Sequence, residues 1–133
     1  MSQENVELAR RYCETFNAGG LDGTQHLRHP QLEVYDPPDF PDADRYVGEA
    51  AVQQIVESYL ELGWDGQFRV EEYVDAGEEV VVIWRARIRT AHGGGFPAEQ
   101  TFAHLYLFEG GKLRRVKQYM SRAEGLEASG LSE

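Results

Sequence analysis

Cysteine is nearly absent from this chain. Cys13 is the only one in 133 residues, so no disulfide can close within it and no zinc site can be assembled from paired thiolates. Basic residues are also in short supply, with 13 lysines and arginines against 23 acids and a formal charge of -10. The resulting field repels polyanions, which argues against nucleic acid and anionic membrane as partners and leaves a small neutral or cationic ligand compatible. No apolar run approaches the roughly 20 residues that span a bilayer, and Met1 to Asn5 lack the basic start and apolar stretch of a secretion signal. The expected location is therefore the cytoplasm. A phosphate-binding loop, a dinucleotide fingerprint and a nucleophile elbow around serine are all missing, so nucleotide-dependent chemistry and covalent acyl transfer have no support and no cofactor is expected. Metal readings fare no better. His26 and His29 stand three apart without an adjacent acidic ligand, and Asp39, Asp42 and Asp44 lack the glycine and terminal glutamate of a calcium loop.

What is present suffices for one core. Hydrophobic residues make up 41% of the chain and aromatics 11%, which at this length suggests a single domain over residues 1–133. Ser2 can cap a helix in which Leu8, Ala9, Tyr12, Cys13 and Phe16 recur at three- and four-residue spacing, and Asn17-Ala18-Gly19-Gly20 supplies a stop. Residues 22–29 read as a short second helix ended by Pro30. In the strand that follows, Leu32, Val34 and Asp36 share a face before Pro37-Pro38 ends the pairing. Three of the five prolines fall between residues 37 and 46, which predicts an irregular loop. Gly48 precedes a third helix, with Val52, Ile55, Val56, Tyr59 and Leu60 as its apolar stripe, ending near Gly63.

The remainder is β-rich. Runs at 66–76, 78–91, 97–109 and 112–120 are separated by Ala76-Gly77, Gly93-Gly94-Gly95 and Gly110-Gly111, spacing that predicts antiparallel hairpins. Val80, Val82, Trp84, Ala86 and Ile88 form one apolar face, opposite Arg85, Arg87 and Arg89. Ser121 and Glu124 resemble a capping box opening a terminal helix through Leu126. Helices first and hairpins afterwards predict an α+β domain, a curved antiparallel sheet with three helices on its concave face.

Three strings in this order resemble the SnoaL-like branch of the nuclear transport factor 2 superfamily: Arg11-Tyr12-Cys13-Glu14-Thr15-Phe16-Asn17-Ala18-Gly19, then Val34-Tyr35-Asp36-Pro37, then His104 through Leu113. The resemblance covers nearly the whole chain. It implies a cone-shaped, cystatin-like α+β roll around a small-molecule pocket, and a homodimer formed through the sheet. The first two strings also resemble ketosteroid isomerase, whose phenol and general-base aspartate would fall on Tyr12 and Asp36. In that scheme the aspartate moves a proton beside a carbonyl while the tyrosine and a protonated second acid hold the enolate oxygen. His104 occupies the second acid's position. A neutral imidazole can donate to a developing oxyanion, but it can equally serve as the base of a dehydratase or hydrolase.

The residues themselves leave each role open. Asp36 shares a face with Leu32 and Val34, where desolvation makes a carboxylate a better proton acceptor, yet it can also simply cap the turn before Pro37. Tyr12 lies between Leu8 and Phe16 on the buried helix face, and its hydroxyl needs a partner, from ligand or protein. His104 alternates with Phe102, Tyr106 and Phe108 on a central strand. Phe16, Tyr35, Tyr46, Tyr59, Trp64, Trp84, Phe102, Tyr106, Tyr119 and Met120 form the pool from which a pocket wall is drawn. The expected activity is cofactor-independent acid/base chemistry of isomerase, cyclase, dehydratase or hydrolase type, on a small apolar or carbonyl-bearing molecule. The alternative is a non-catalytic module that binds a metabolite or a protein.

Overall fold

The computed structural model describes residues 2–61, 64–88 and 98–131, with the side chains of Tyr59 and Trp64 outside that description. The turn expected at Gly93-Gly94-Gly95 also lies outside it. Helix α1 spans Ser2–Gly23 and is broken at Gly20, where φ is 69° and ψ is -165°. Only glycine enters that region without a Cβ clash, so the regular helix ends where the Asn17-to-Gly20 stop is expected.

Residues 22–29 do not form a second helix. Gly23 and Pro30 leave too few residues between them to nucleate one, and the chain makes a single 3-10 turn, Gln25–Leu27, with Leu27 buried. It then enters strand β1, Arg28–Tyr35. Pro30 is tolerated there because the pairing of β1 with its neighbour is irregular between Arg28 and Glu33.

The remaining elements are β2 (Arg45–Val47), α2 (Glu49–Glu61), β3 (Trp64–Ala76), β4 (Glu79–Ile88), β5 (Ala98–Glu109), β6 (Lys112–Tyr119) and α3 (Arg122–Ala128). They build one curved six-stranded sheet in the order β2-β1-β6-β5-β4-β3. Strands β3 to β6 form the expected antiparallel meander. At the β5–β6 turn, Gly110 and Gly111 both have positive φ, 60° and 80°, as a tight two-residue hairpin requires. The sheet is nevertheless mixed, because β1 lies parallel to β6. The chain leaves β1, passes through β2 and α2, starts again at the far edge with β3, and the meander returns it alongside β1.

Both faces of β4 are buried. Val80, Val82, Trp84 and Ala86 pack against Ala9, Tyr12, Cys13 and Phe16 of α1, while Val81 and Ile83 join Ala103 and Leu105 beneath Leu126 of α3. A strand covered on both sides reads as a continuous apolar run. Of the arginines expected opposite the apolar face, Arg85 is partly exposed and ion-paired with Glu71 and Glu99, while the Arg87 side chain and Arg89 lie outside the described residues; α3 covers the opposite face of the sheet from α1. Helix α3 starts as predicted: the Ser121 side chain accepts from the Glu124 N–H, and the Glu124 carboxylate accepts from the Met120 N–H. Among the described residues no helix is long and apolar enough to cross a membrane.

Candidate functional site

Between α1, α2 and the inner sheet face lies a cavity of about 20 Å³. Its wall is made by Tyr12, Phe16 and Leu21 of α1, Ile55 of α2, Trp84 of β4, His104 and Tyr106 of β5, and Leu113, Val116 and Gln118 of β6. That volume holds about one water molecule.

Strand register explains which polar groups approach it. His104 pairs with Val82 on one side and with Gln118 on the other. Val34 pairs with Val116 in the parallel join. Asp36 stands two residues beyond Val34 and Gln118 two beyond Val116, so period-two alternation puts Asp36, Gln118 and His104 in one row across the inner face. At a strand spacing of about 4.8 Å, the row sets the Asp36 and His104 backbones roughly 10 Å apart, with Gln118 between them.

Asp36 is held from three sides. Its Oδ2 accepts from the Tyr46 hydroxyl at 3.1 Å and the Asp44 N–H at 3.2 Å, and its Oδ1 accepts from Gln54 Nε2 at 2.9 Å. A carboxylate offers about four lone-pair sites, so one on Oδ1 stays available. Tyr46 remains a donor, because desolvation and the neighbouring Asp36 carboxylate hold its phenol above its ordinary range.

His104 sits in an aromatic row with ring centroids 5.2 Å from Phe102, 5.7 Å from Tyr106 and 6.1 Å from Trp84. Burial pushes its imidazole down to about 3, because a charged ring would be stripped of water without a counter-ion. The ring is neutral at physiological pH, and its Nδ1 lies 3.3 Å from the Tyr106 hydroxyl. Tyr12 packs edge-on against Tyr106 at 5.8 Å. Burial raises its phenol above the ordinary range, while hydrogen bonding with Thr24 and the nearby Arg28 oppose that rise. Thr24 is itself fully buried, accepts from Arg28 and donates to the Leu21 carbonyl at 2.7 Å. The Tyr12 hydroxyl thus lies beside Thr24 and Arg28 at the α1–β1 junction.

The structure brings Tyr12, His104, Phe16, Trp84 and Tyr106 together around the cavity, but Asp36 is not in its wall and borders instead an open cleft that shares Gln118 with the cavity. Phe102 stacks behind Trp84 at an interplanar angle of 9°. Tyr46 serves as a donor to Asp36. Tyr35 and Tyr119 line a different space, an open cleft of about 440 Å³ that also touches Asp36, Asp44, Arg45, Lys117 and Gln118. Met120 lies at the start of α3, its N–H bonded to Glu124. Gln118 and Gln54 escaped the sequence reading, although Gln118 follows Val116 by two on a strand and so shares its inward face. Among the described residues no three metal-ligating side chains converge.

The SnoaL-like domain profile matches residues 9–116, and the chain belongs to that family. No curated protein matches it by sequence. Among solved structures it is similar to an NTF2-like protein of unknown function from Mesorhizobium loti, at 21% identity and a TM-score of 0.67 over 90% of this chain and 93% of that one. It is also similar to a protein assigned as a SnoaL-like polyketide cyclase from Jannaschia sp. CCS1, at 18% identity and TM-score 0.66 over 89% and 85% of the two chains. A protein assigned as a ketosteroid isomerase from Kribbella flavida DSM 17836 gives 17% identity and TM-score 0.68 over 92% and 81%. At such identities the likeness is one of fold.

Proposed function

We propose that this chain is a cofactor-independent enzyme that moves a proton on a small, neutral, carbonyl-bearing molecule, with Asp36 as general base and His104 as donor to the carbonyl oxygen. The observation that carries the reading is a carboxylate with a spare lone pair and a neutral imidazole in two adjoining spaces that share Gln118. Asp36 would take a proton from the carbon beside the carbonyl as negative charge develops on the oxygen, and return it at a second carbon. A positioned base contributes about 10²- to 10⁴-fold in rate, and a preorganised donor at the oxyanion a comparable factor. Tyr12 would act as wall and scaffold, its hydroxyl lying beside Thr24 and Arg28. The family resemblance and the fold shared with the cyclase and isomerase above support this class of chemistry.

Ligand pockets commonly measure about 300–1,000 Å³, so a substrate enters only by displacing lining groups. Among the apolar members of the wall Leu21 and Ile55 are the partly buried ones, as Gln118 is among the polar ones, and neighbouring Val56 of α2 is 40% exposed. The opening would therefore lie between α1 and α2. Asp36→Asn should abolish turnover while the thermal midpoint and ligand-induced stabilisation persist.

The 20 Å³ cavity favours a second reading, in which aromatic side chains fill the cone and the domain only binds or dimerises. Ligand-induced stabilisation in the wild type without any conversion on prolonged incubation would support that reading over catalysis. A homodimer through the outer sheet face belongs to either case, and light scattering tests it.

A further inference from the structure

We propose that the indole N–H of Trp84 reads the oxygen of a neutral carbonyl ligand in the inner cavity, making Trp84 a specificity-determining residue of that site. The inference rests on the small-molecule reading of the cavity, but not on Asp36 or on turnover.

Trp84 stands in β4, paired with Val70 on β3 and Phe102 on β5, and only 3% of it is exposed. Phe102 stacks on its ring at 6.4 Å, and Phe16 and Phe68 meet it near-perpendicularly at 6.1 Å each. These contacts fix the ring against the cavity it lines. Indole nitrogen is a donor only, and a buried donor nearly always finds an acceptor. Trp84 Nε1 is buried and has none. The other buried donors in that condition, Nε of Arg85 and of Arg115, belong to guanidinium groups already ion-paired with Glu71 and Glu99 or with Glu79. Among the described residues of the cavity wall, Trp84 therefore carries a fully buried donor without an acceptor, which a ligand reaches by displacing the groups that close it off from the cavity.

The surroundings specify what would match it. The wall contains no lysine, arginine, aspartate or glutamate, so a charged ligand would be desolvated without a counter-ion. An alcohol or amine would bring its own N–H or O–H into an apolar space and require a further acceptor. A ketone or enone brings acceptor lone pairs alone. A carbonyl oxygen has two lone pairs, so it can accept from the Trp84 donor and also from His104, whose ring lies 6.1 Å from that of Trp84.

The test uses the full chain with two small probes, cyclohex-2-enone and 3-methylenecyclohexene, the second presenting a methylene group in place of the oxygen. Affinities are measured by NMR titration while the Trp84 indole ¹H–¹⁵N signal is followed. The wild type should bind the enone about tenfold more tightly, the worth of one hydrogen bond of ordinary net strength, and the indole proton should move downfield with the enone only. Trp84→β-(3-benzothienyl)alanine, which replaces N–H by sulfur at nearly constant shape, should bind both probes equally. Asp36→Asn should keep the wild-type preference, so that loss of proton transfer and loss of recognition are read separately. Equal wild-type affinities, an unmoved indole signal, a preference that survives in the sulfur variant, or failure of the enone to bind would each overturn the assignment.

Discussion

Acid should weaken this fold through one residue. The unfolded chain has a His104 of ordinary pKa, 6.5, whereas in the fold burial lowers it to about 3. Between those values the unfolded state carries a proton that the folded state refuses, so stability is full above pH 6.5, declines as pH falls, and loses nothing more on this account below about 3. Each unit in that window costs about 1.4 kcal/mol, giving a loss of about 2 kcal/mol from pH 7 to pH 5. Other groups titrate as well, so the informative quantity is a difference. His104→Gln removes the titration, and whatever constant destabilisation it introduces does not alter the slope. Urea denaturation of both proteins at pH 7.0, 6.0 and 5.0 should show the wild type losing about 2 kcal/mol more than the variant across the range. Parallel slopes, or a His104 imidazole that titrates near 6.5 in the folded protein by NMR, would refute the claim that a neutral ring is sealed against the cavity.

Three further outcomes follow from packing. A Cβ added at Gly125 would stand 2.6 Å from the Ala103 Cβ, an atom fixed by the backbone of β5; the strain of about 1–3 kcal/mol exceeds the gain in helix propensity of up to about 1 kcal/mol. Gly125→Ala should therefore lower the melting temperature by a few degrees, and Gly125→Ala combined with Ala103→Gly should lower it by less than the sum of the two single changes. Tyr12→Phe should cost at most about 1 kcal/mol, because a buried hydroxyl beside Thr24 and Arg28 is lost, yet alter turnover less than threefold; a loss of a hundredfold or more would make the phenol a donor to substrate. Burial pushes the Cys13 thiol up to about 12, so a disulfide reagent at pH 8 should label it only after urea is added, whereas rapid labelling of the folded protein would contradict its burial beneath α1.

The parts of the fold written in local sequence are those a reader recovers. Spacing of Ala9, Tyr12, Cys13 and Phe16 marks the buried face of α1, Gly77 and Gly110-Gly111 mark the two hairpin turns among the described residues, and Ser121 with Glu124 marks the start of α3. Readings fail where structure depends on pairing between distant segments. The parallel join of β1 to β6 connects residues about eighty positions apart, such as Val34 and Val116, and it alone sets Gln118 between Asp36 and His104. Nothing near Gln118 announces that neighbourhood. The false helix at 22–29 had a similar cost, since it concealed Thr24 and Arg28 as neighbours of the Tyr12 hydroxyl. On β4, a continuous run from Val80 to Trp84 records two covered faces, a pattern that alternation alone reads as one.

The most direct test of the proposed chemistry is hydrogen exchange at carbon. A panel of cyclic ketones and enones incubated in D₂O with the protein should gain deuterium beside the carbonyl, faster than in buffer alone, and Asp36→Asn should return the rate to background. Wild-type protein that binds a panel member without accelerating its exchange, or exchange that survives Asp36→Asn undiminished, would contradict a general base at that position.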